Sequence, residues 1–234
     1  MRNGEDTKYR HEMKYLVSDR QVVLLKERLR ILAGADAHAS GTGRYFVRSL
    51  YFDDFRNSCF LENQDGTDPR EKFRIRIYNC SDSRISLECK RKEHGKTLKT
   101  ACLLSREEAD RLIRGDHISP AEADEPLLRK FLIWKEERLL RPAVVTDYVR
   151  YPFVYPGGNV RVTFDVNISA ARAGGPFYAP DLPRKPVLPA GMQLLEVKYD
   201  EFLPDFLYQG MQLNNLQWTS FSKYYLCRKA LLPG

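Results

Sequence analysis

The segment most suited to chemistry is Lys72-Phe-Arg-Ile-Arg-Ile-Tyr78. Side chains of a strand alternate between faces, so Lys72, Arg74 and Arg76 share one side and Phe73, Ile75 and Ile77 the other. By itself this describes the solvated face of a half-buried sheet. Three further segments change the reading. Glu12-x-Lys14, Glu88-x-Lys90 and Glu196-x-Lys198 each set a carboxylate beside an ammonium, with Met13, Cys89 and Val197 on the opposite face. The polar face continues in Thr97 and Lys99, in Thr146, Tyr148 and Arg150, and in Arg161, Thr163, Asp165 and Asn167. One surface ion pair contributes little, but a pattern repeated from strand to strand implies a common interior. The simplest arrangement turns the polar face inward and covers the apolar outside with helices, the reverse of a small barrel with an apolar lumen.

Many like charges in one lumen repel each other and resist desolvation, so the arrangement calls for an anion. A linear triphosphate is long and narrow and carries about four negative charges; Arg grips phosphate oxygens two at a time and Lys acts as a point charge. The interspersed carboxylates cannot favour phosphate directly, but they can hold Mg2+ or Mn2+ that bridges phosphate oxygens. Ser222-Lys223 opens a predicted helix, where a lysine opposes the helix dipole unless an anion lies beside it.

The elements that must carry these residues are legible from periodicity. Strands are predicted at 9–17, 45–53, 72–79, 84–92, 97–104, 143–151, 160–168 and 193–200, which gives an α+β fold whose eight antiparallel strands are enough to close a barrel. Capping boxes at Ser18/Gln21 and Ser105/Glu108 start helices, the second stopped by Gly115. Pro120 and Pro126 suit first helical turns, and Leu128, Phe131, Leu132 and Leu139 recur at helical spacing. Prolines between Pro176 and Pro189 make 172–191 a surface loop within one domain spanning 1–234. Pro204 and Ser222 open two more helices, the last with Tyr225, Leu226 and Leu231 on its apolar side.

A chain of 234 residues buries enough surface to need no disulfide or structural metal. Thirty-eight Lys and Arg against thirty-one Asp and Glu leave +7, which directs attention to anionic partners. No run approaches the roughly 18 apolar residues of a membrane span, and the first residues lack a signal sequence. Five scattered cysteines without a C-x-x-C pair suit a reducing cytoplasm and act as packed thiols. His11-Glu12 lacks the second histidine of a zincin, and Gly41-Thr-Gly43 lacks the ending of a P-loop. His11, His38, His94 and His117 form no triad with a serine. Tyr15, Phe52 and Trp134 read as packing residues.

Tyr9-Arg-His-Glu-Met-Lys-Tyr15, Ser49-Leu-Tyr-Phe-Asp53, Lys72-Phe-Arg-Ile-Arg-Ile-Tyr78, Leu87-Glu-Cys-Lys90, Leu195-Glu-Val-Lys-Tyr199 and Ser222-Lys-Tyr224 together resemble the VTC domain, the polyphosphate polymerase branch of the CYTH or triphosphate tunnel metalloenzyme superfamily. The resemblance implies an eight-stranded tunnel, an ATP:polyphosphate phosphotransferase, and ATP and inorganic polyphosphate as partners. By motif it assigns Arg74, Arg76, Lys90 and Lys223 to catalysis, and Lys14, Lys99, Tyr148, Arg150, Arg161, Lys198 and Ser222 to substrate binding. Glu196 is the principal metal ligand it implies, for Mn2+ or Mg2+, with Glu12 and Glu88 as further candidates. Superfamily hydrolases often open with E-x-E-x-K, whereas Arg10 stands here in place of the first Glu, which favours a polymerase. An ionised phosphate chain end attacks without a base, while water needs activation.

Three alternatives stay open at this point: a triphosphatase of the same superfamily, a module that binds polyphosphate or inositol pyrophosphate without turnover, and a nucleic-acid binder. The last expects cations over an exposed groove, and here they alternate with apolar residues, so no nucleic acid is expected. Some VTC domains are joined to membrane spans, so a membrane-protein partner remains open.

Overall fold

The computed structural model of the chain describes residues 6–36, 39 and 41–232; His38 and the residues before Asp6 lie outside them. The alternating segments become eight long strands: β1 (Asp6–Ser18), β2 (Tyr45–Asp53), β3 (Arg70–Tyr78), β4 (Ser81–Glu93), β5 (Lys96–Leu104), β6 (Arg141–Tyr155), β7 (Val160–Ala171) and β8 (Met192–Tyr199). All pair antiparallel in the order β2-β3-β4-β5-β1-β8-β7-β6, and β6 returns to β2, closing the barrel. Two-residue strands at Gly34–Ala35, Lys185–Pro186 and Gln217–Trp218 add to β6, β7 and β1.

Helices cover the apolar outside as expected. Ser18 and Gln21 form their capping box at the start of α1 (Asp19–Leu32), which lays Val22, Leu25 and Leu29 over Val162, Phe164, Leu195 and Val197. After α2 (Ser58–Gln64), the Ser105/Glu108 box opens α3 (Arg106–Arg114), and Gly115 ends it in the left-handed conformation at φ 83°. Pro120 starts only a short 3-10 turn, whereas Pro126 begins α4 (Pro126–Arg138). Phe131 of α4 meets Phe52 and Phe73 edge to face at 4.8 and 5.3 Å; burying such a ring contributes about 2 kcal/mol. Leu139 does not join that face: it is the left-handed C-cap of α4 and is exposed. The loop at 172–191 is tied down by Arg48, a fully buried side chain that grips Asp147 with two 2.9 Å bonds and donates to the Phe177 and Ala179 carbonyls. Past α5 (Asp205–Gly210), the chain ends in α6 (Lys223–Leu231). Tyr224 and Cys227 are the buried side chains of α6, with Tyr225, Leu226 and Leu231 only partly covered, so its apolar stripe is rotated from the predicted one.

α6 packs on a third cluster, made by Val47, Tyr51, Val144, Tyr148, Ile168, Ala170 and Leu194. These lie on the inward side of their strands, so one part of the lumen is apolar and filled. Asn167 explains the change in β7. It is exposed with φ 56°, at a register irregularity between β6 and β7, and the extra residue brings Ile168 and Ala170 inward where alternation predicts polar positions. Asn167 is therefore removed from the polar lining. Among the described residues no helix is long and apolar enough to cross a membrane.

Candidate functional site

Strand register assembles the site. Glu12 of β1 stands opposite Lys198 of β8, and Lys14 opposite Glu196, because two antiparallel E-x-K motifs meet head to tail. In the same way Glu88 faces Arg74 across β4 and β3, and Asp165 faces Arg150 across β7 and β6.

The first group centres on Glu88. Arg74 donates to its Oε2 from Nε and Nη2 at 2.8 and 2.6 Å, Arg76 Nη1 lies 3.6 Å from the same oxygen, and Lys99 Nζ lies 3.6 Å from Oε1. Hydroxyls hold the guanidiniums from the other side. Tyr51 accepts from Arg74 Nη1 at 2.7 Å, Ser49 from Arg76 Nε at 3.0 Å, and Tyr148 from Arg76 Nη2 at 3.3 Å. Burial pushes the Glu88 carboxyl up, but Arg76 and Arg74 outweigh it and hold the group far below the usual carboxylate range.

The second group surrounds Glu196 and Glu12. Asp165, fully buried, accepts from Arg150 Nε and Nη2 at 2.7 Å each and forms an ion pair with Lys223 Nζ at 2.7 Å. Thus the anion beside the start of α6 is the protein's own. The same two cations lie farther from Glu196 Oε2, Arg150 at 3.6 Å and Lys223 at 3.5 Å. Lys198 bridges Glu196 Oε1 at 3.1 Å and Glu12 Oε1 at 3.8 Å. Lys90 donates to Glu12 Oε2 at 2.7 Å, Thr97 does so at 3.3 Å, and Lys14 splits between Glu12 Oε1 at 3.6 Å and the Phe221 carbonyl at 2.8 Å. Burial raises both carboxyls, yet Lys14 and Lys90 keep Glu12 below its ordinary value, and Lys198 and Lys223 keep Glu196 well below. Burial pushes Lys90 down to about 7, against the pull of Glu12 and with help from Lys14 and Lys198. Lys223 goes the other way: burial is outweighed by Asp165 and Glu196, and its pKa is raised.

A cavity of about 100 Å3 lies among Arg10, Glu12, Tyr45, Arg74, Arg76, Lys99, Arg150, Arg161 and Lys198, room for several water-sized groups. Arg161 is held at its rim by Asp36 at 2.7 Å and the Tyr45 hydroxyl at 2.8 Å. Arg10 is drawn to Asp200 at 2.8 Å and the Asn159 carbonyl. His11 stacks on Tyr199 with ring centres 4.9 Å apart.

The fourteen positions singled out by motif therefore converge on one lumen, with Ser222 at its α6 end, where its Oγ caps the helix by accepting from the Tyr225 amide. The hydroxyls of β2 are not marked by motif, although Ser49 and Tyr51 alternate on one face, and nothing local marks Asp165 as the partner of two distant cations. Among the described residues no group of three or more His, Cys, Asp or Glu is placed to hold a metal. Glu12 and Glu196 are nonetheless close enough to interact, and Glu12 Oε1 is buried without a hydrogen-bond partner. Two carboxylates with an unsatisfied oxygen fit a hard divalent cation that completes its shell with water and phosphate oxygens. Glu88, wrapped by cations, stands apart from that pair.

The family model of the VTC domain matches residues 9–232. Among solved structures, the Bacillus halodurans protein bh2851 aligns at 15% identity over 88% of each chain with a TM-score of 0.49. PH1819 from Pyrococcus horikoshii OT3 aligns at 12% identity over 95% of this chain and 99% of its own, also at 0.49. PH1012 from the same organism aligns at 10% identity over 88% and 87%, at 0.45. No curated protein sequence matches the chain.

Proposed function

We propose that this chain, which belongs to the VTC-domain family, is a polyphosphate polymerase that transfers the terminal phosphoryl group of ATP to a growing polyphosphate chain. The observation that carries the reading is charge inside the barrel. Nine cations, Lys14, Arg74, Arg76, Lys90, Lys99, Arg150, Arg161, Lys198 and Lys223, are interleaved with five carboxylates, Glu12, Asp36, Glu88, Asp165 and Glu196. The excess of four positive charges matches the roughly four negative charges of a triphosphate, and Arg74, Arg76 and Arg150 supply the planar donors that phosphate favours.

In the reaction a terminal oxygen of the chain attacks the γ-phosphorus, the new P–O bond forms as the β–γ bridging bond breaks, and ADP leaves. Arg74 and Arg76, fixed by Glu88, Tyr51, Ser49 and Tyr148, orient the phosphoryl oxygens and need no rearrangement as charge develops. Lys90, Lys14 and Lys198 neutralise neighbouring phosphates; contact with a polyanion drives Lys90 to its charged form. A divalent cation held by Glu196 and Glu12 would add Lewis-acid stabilisation of phosphate oxygens. Four of the five carboxylates, Glu12, Glu88, Asp165 and Glu196, are held below the ordinary range and so are poorly suited to deprotonate water. This favours an attacking phosphate over attacking water.

Incubation with ATP and Mn2+, read on a polyphosphate gel, tests the proposal. A ladder of polyphosphate is expected. Orthophosphate alone identifies a triphosphatase, and tight binding of tripolyphosphate without turnover identifies a binding module; either overturns the polymerase reading.

A further inference from the structure

The second charge group contains one carboxylate more than metal binding or phosphate binding asks for. Asp165 is fully buried and is engaged by Arg150 through two 2.7 Å hydrogen bonds and by Lys223 through an ion pair at 2.7 Å. It faces neither Lys198 nor Lys90 within ion-pair distance, so it does not neutralise the lumen at large. The two cations it holds come from different elements, Arg150 from β6 and Lys223 from the first residue of α6. Both also point toward Glu196, but stop 3.6 and 3.5 Å from its Oε2. At those distances neither cation is hydrogen-bonded to Glu196, whereas Arg150 is hydrogen-bonded to Asp165 and Lys223 forms a close ion pair with it.

We propose that Asp165 is a positioning residue that captures Arg150 and Lys223 and so leaves Glu196 free to ligate a divalent cation. The inference rests on the metal-binding reading of Glu196 given above. Its physical basis is competition. A guanidinium forms its strongest contact where two parallel N–H groups meet one carboxylate, and the Nη2 of Arg150 that lies nearest Glu196 is one of the two nitrogens already committed to Asp165. Without the Asp165 charge, Arg150 and Lys223 would be buried cations whose nearest carboxylate is Glu196, and each would be strongly drawn to pair with it. Glu196 would then be covered by ion pairs, much as Glu88 is covered by Arg74, and closed to metal.

The test is Mn2+ binding to the metal-free protein, followed by electron paramagnetic resonance of the free ion, without nucleotide or phosphate. Asp165→Asn is expected to raise the Mn2+ dissociation constant at least about tenfold, the loss typical when groups supporting a metal ligand are removed, while Lys223→Met leaves it at or below the wild-type value. Asp165→Asn combined with Lys223→Met removes one anion and one cation, preserves the net charge of the group and relieves the risk to folding. Capture of Glu196 by Arg150 predicts weakened Mn2+ binding here too, whereas an effect of net charge alone predicts none. Asp165→Asn or the double variant binding Mn2+ within threefold of wild type overturns the proposal and leaves the metal reading intact. Wild-type protein that binds tripolyphosphate but no Mn2+ overturns the metal reading, and this inference with it.

Discussion

Glu88 and Glu196 sit in one lumen, both almost fully buried, both flanked by an arginine and a lysine, and they are used differently. Glu88 accepts two short bonds from Arg74 and stands at the middle of a network of hydroxyls and guanidiniums. Glu196 makes its closest cation contact at 3.1 Å, with Lys198, and its other two at 3.5 Å or more, because Asp165 has taken the short bonds. The lesson is that a buried carboxylate among cations is structural when its contacts are short and closed, and open to a ligand when a second carboxylate competes for them. In the same barrel, pairing makes the first group rigid and keeps the second poised.

The two carboxylates differ most in their effect on activity. Glu196→Gln is expected to lower polyphosphate formation on the order of 100-fold, as removal of one electrostatic stabiliser does, with tripolyphosphate affinity measured by calorimetry changing only a few-fold. Glu88→Gln acts on stability instead. It leaves Arg74 and Arg76 buried without their counter-ion and is expected to cost about 3 kcal/mol in denaturant unfolding, a loss that bound tripolyphosphate offsets by supplying the missing anion. The acid limb sharpens the contrast. Glu88, Glu196, Glu12 and Asp165 all have folded-state pKa values below their unfolded ones, so their stabilisation is present above the unfolded values and is lost as pH falls below about 4. Glu88→Gln should flatten that decline in a urea titration repeated at several pH values.

A smaller effect belongs to Lys90, which is half charged near pH 7 in the free site. Binding a polyanion favours its ammonium form, so tripolyphosphate uptake at pH 8 should draw in a proton, and affinity should fall between pH 7 and 9. Calorimetry in two buffers of different ionisation enthalpy measures this, and Lys90→Gln should reduce the uptake. The smallest change is Tyr51→Phe, which removes one hydroxyl from Arg74 and is expected to cost about 1 kcal/mol, with thermal melting as the readout.

Much of the fold is legible in the sequence. Alternation located the eight strands to within a few residues, since a strand buried on one face by helices and lined on the other by charge must change character at every step. The capping boxes at Ser18 and Ser105 were legible because capping is local. The shift of Ile168 and Ala170 inward was not: Asn167 carries no signal that distinguishes a bulge from an ordinary strand residue. The buried stripe of α6 differs from the one its sequence predicts for a related reason. Tyr224 and Cys227 are buried by the inside of a barrel, a surface that no helical periodicity can anticipate.

What the sequence determined by itself is the two-sided character of the strands and the kind of charge on each side, because side-chain direction in a strand follows from covalent geometry. Which charges meet, by contrast, follows from the folded barrel. Arg150 and Lys223 are 73 residues apart in the chain, and both find Asp165 because register and closure bring β6, β7 and α6 to one point. Coulombic pairing depends on distances of a few ångströms, and those are set by the closed barrel.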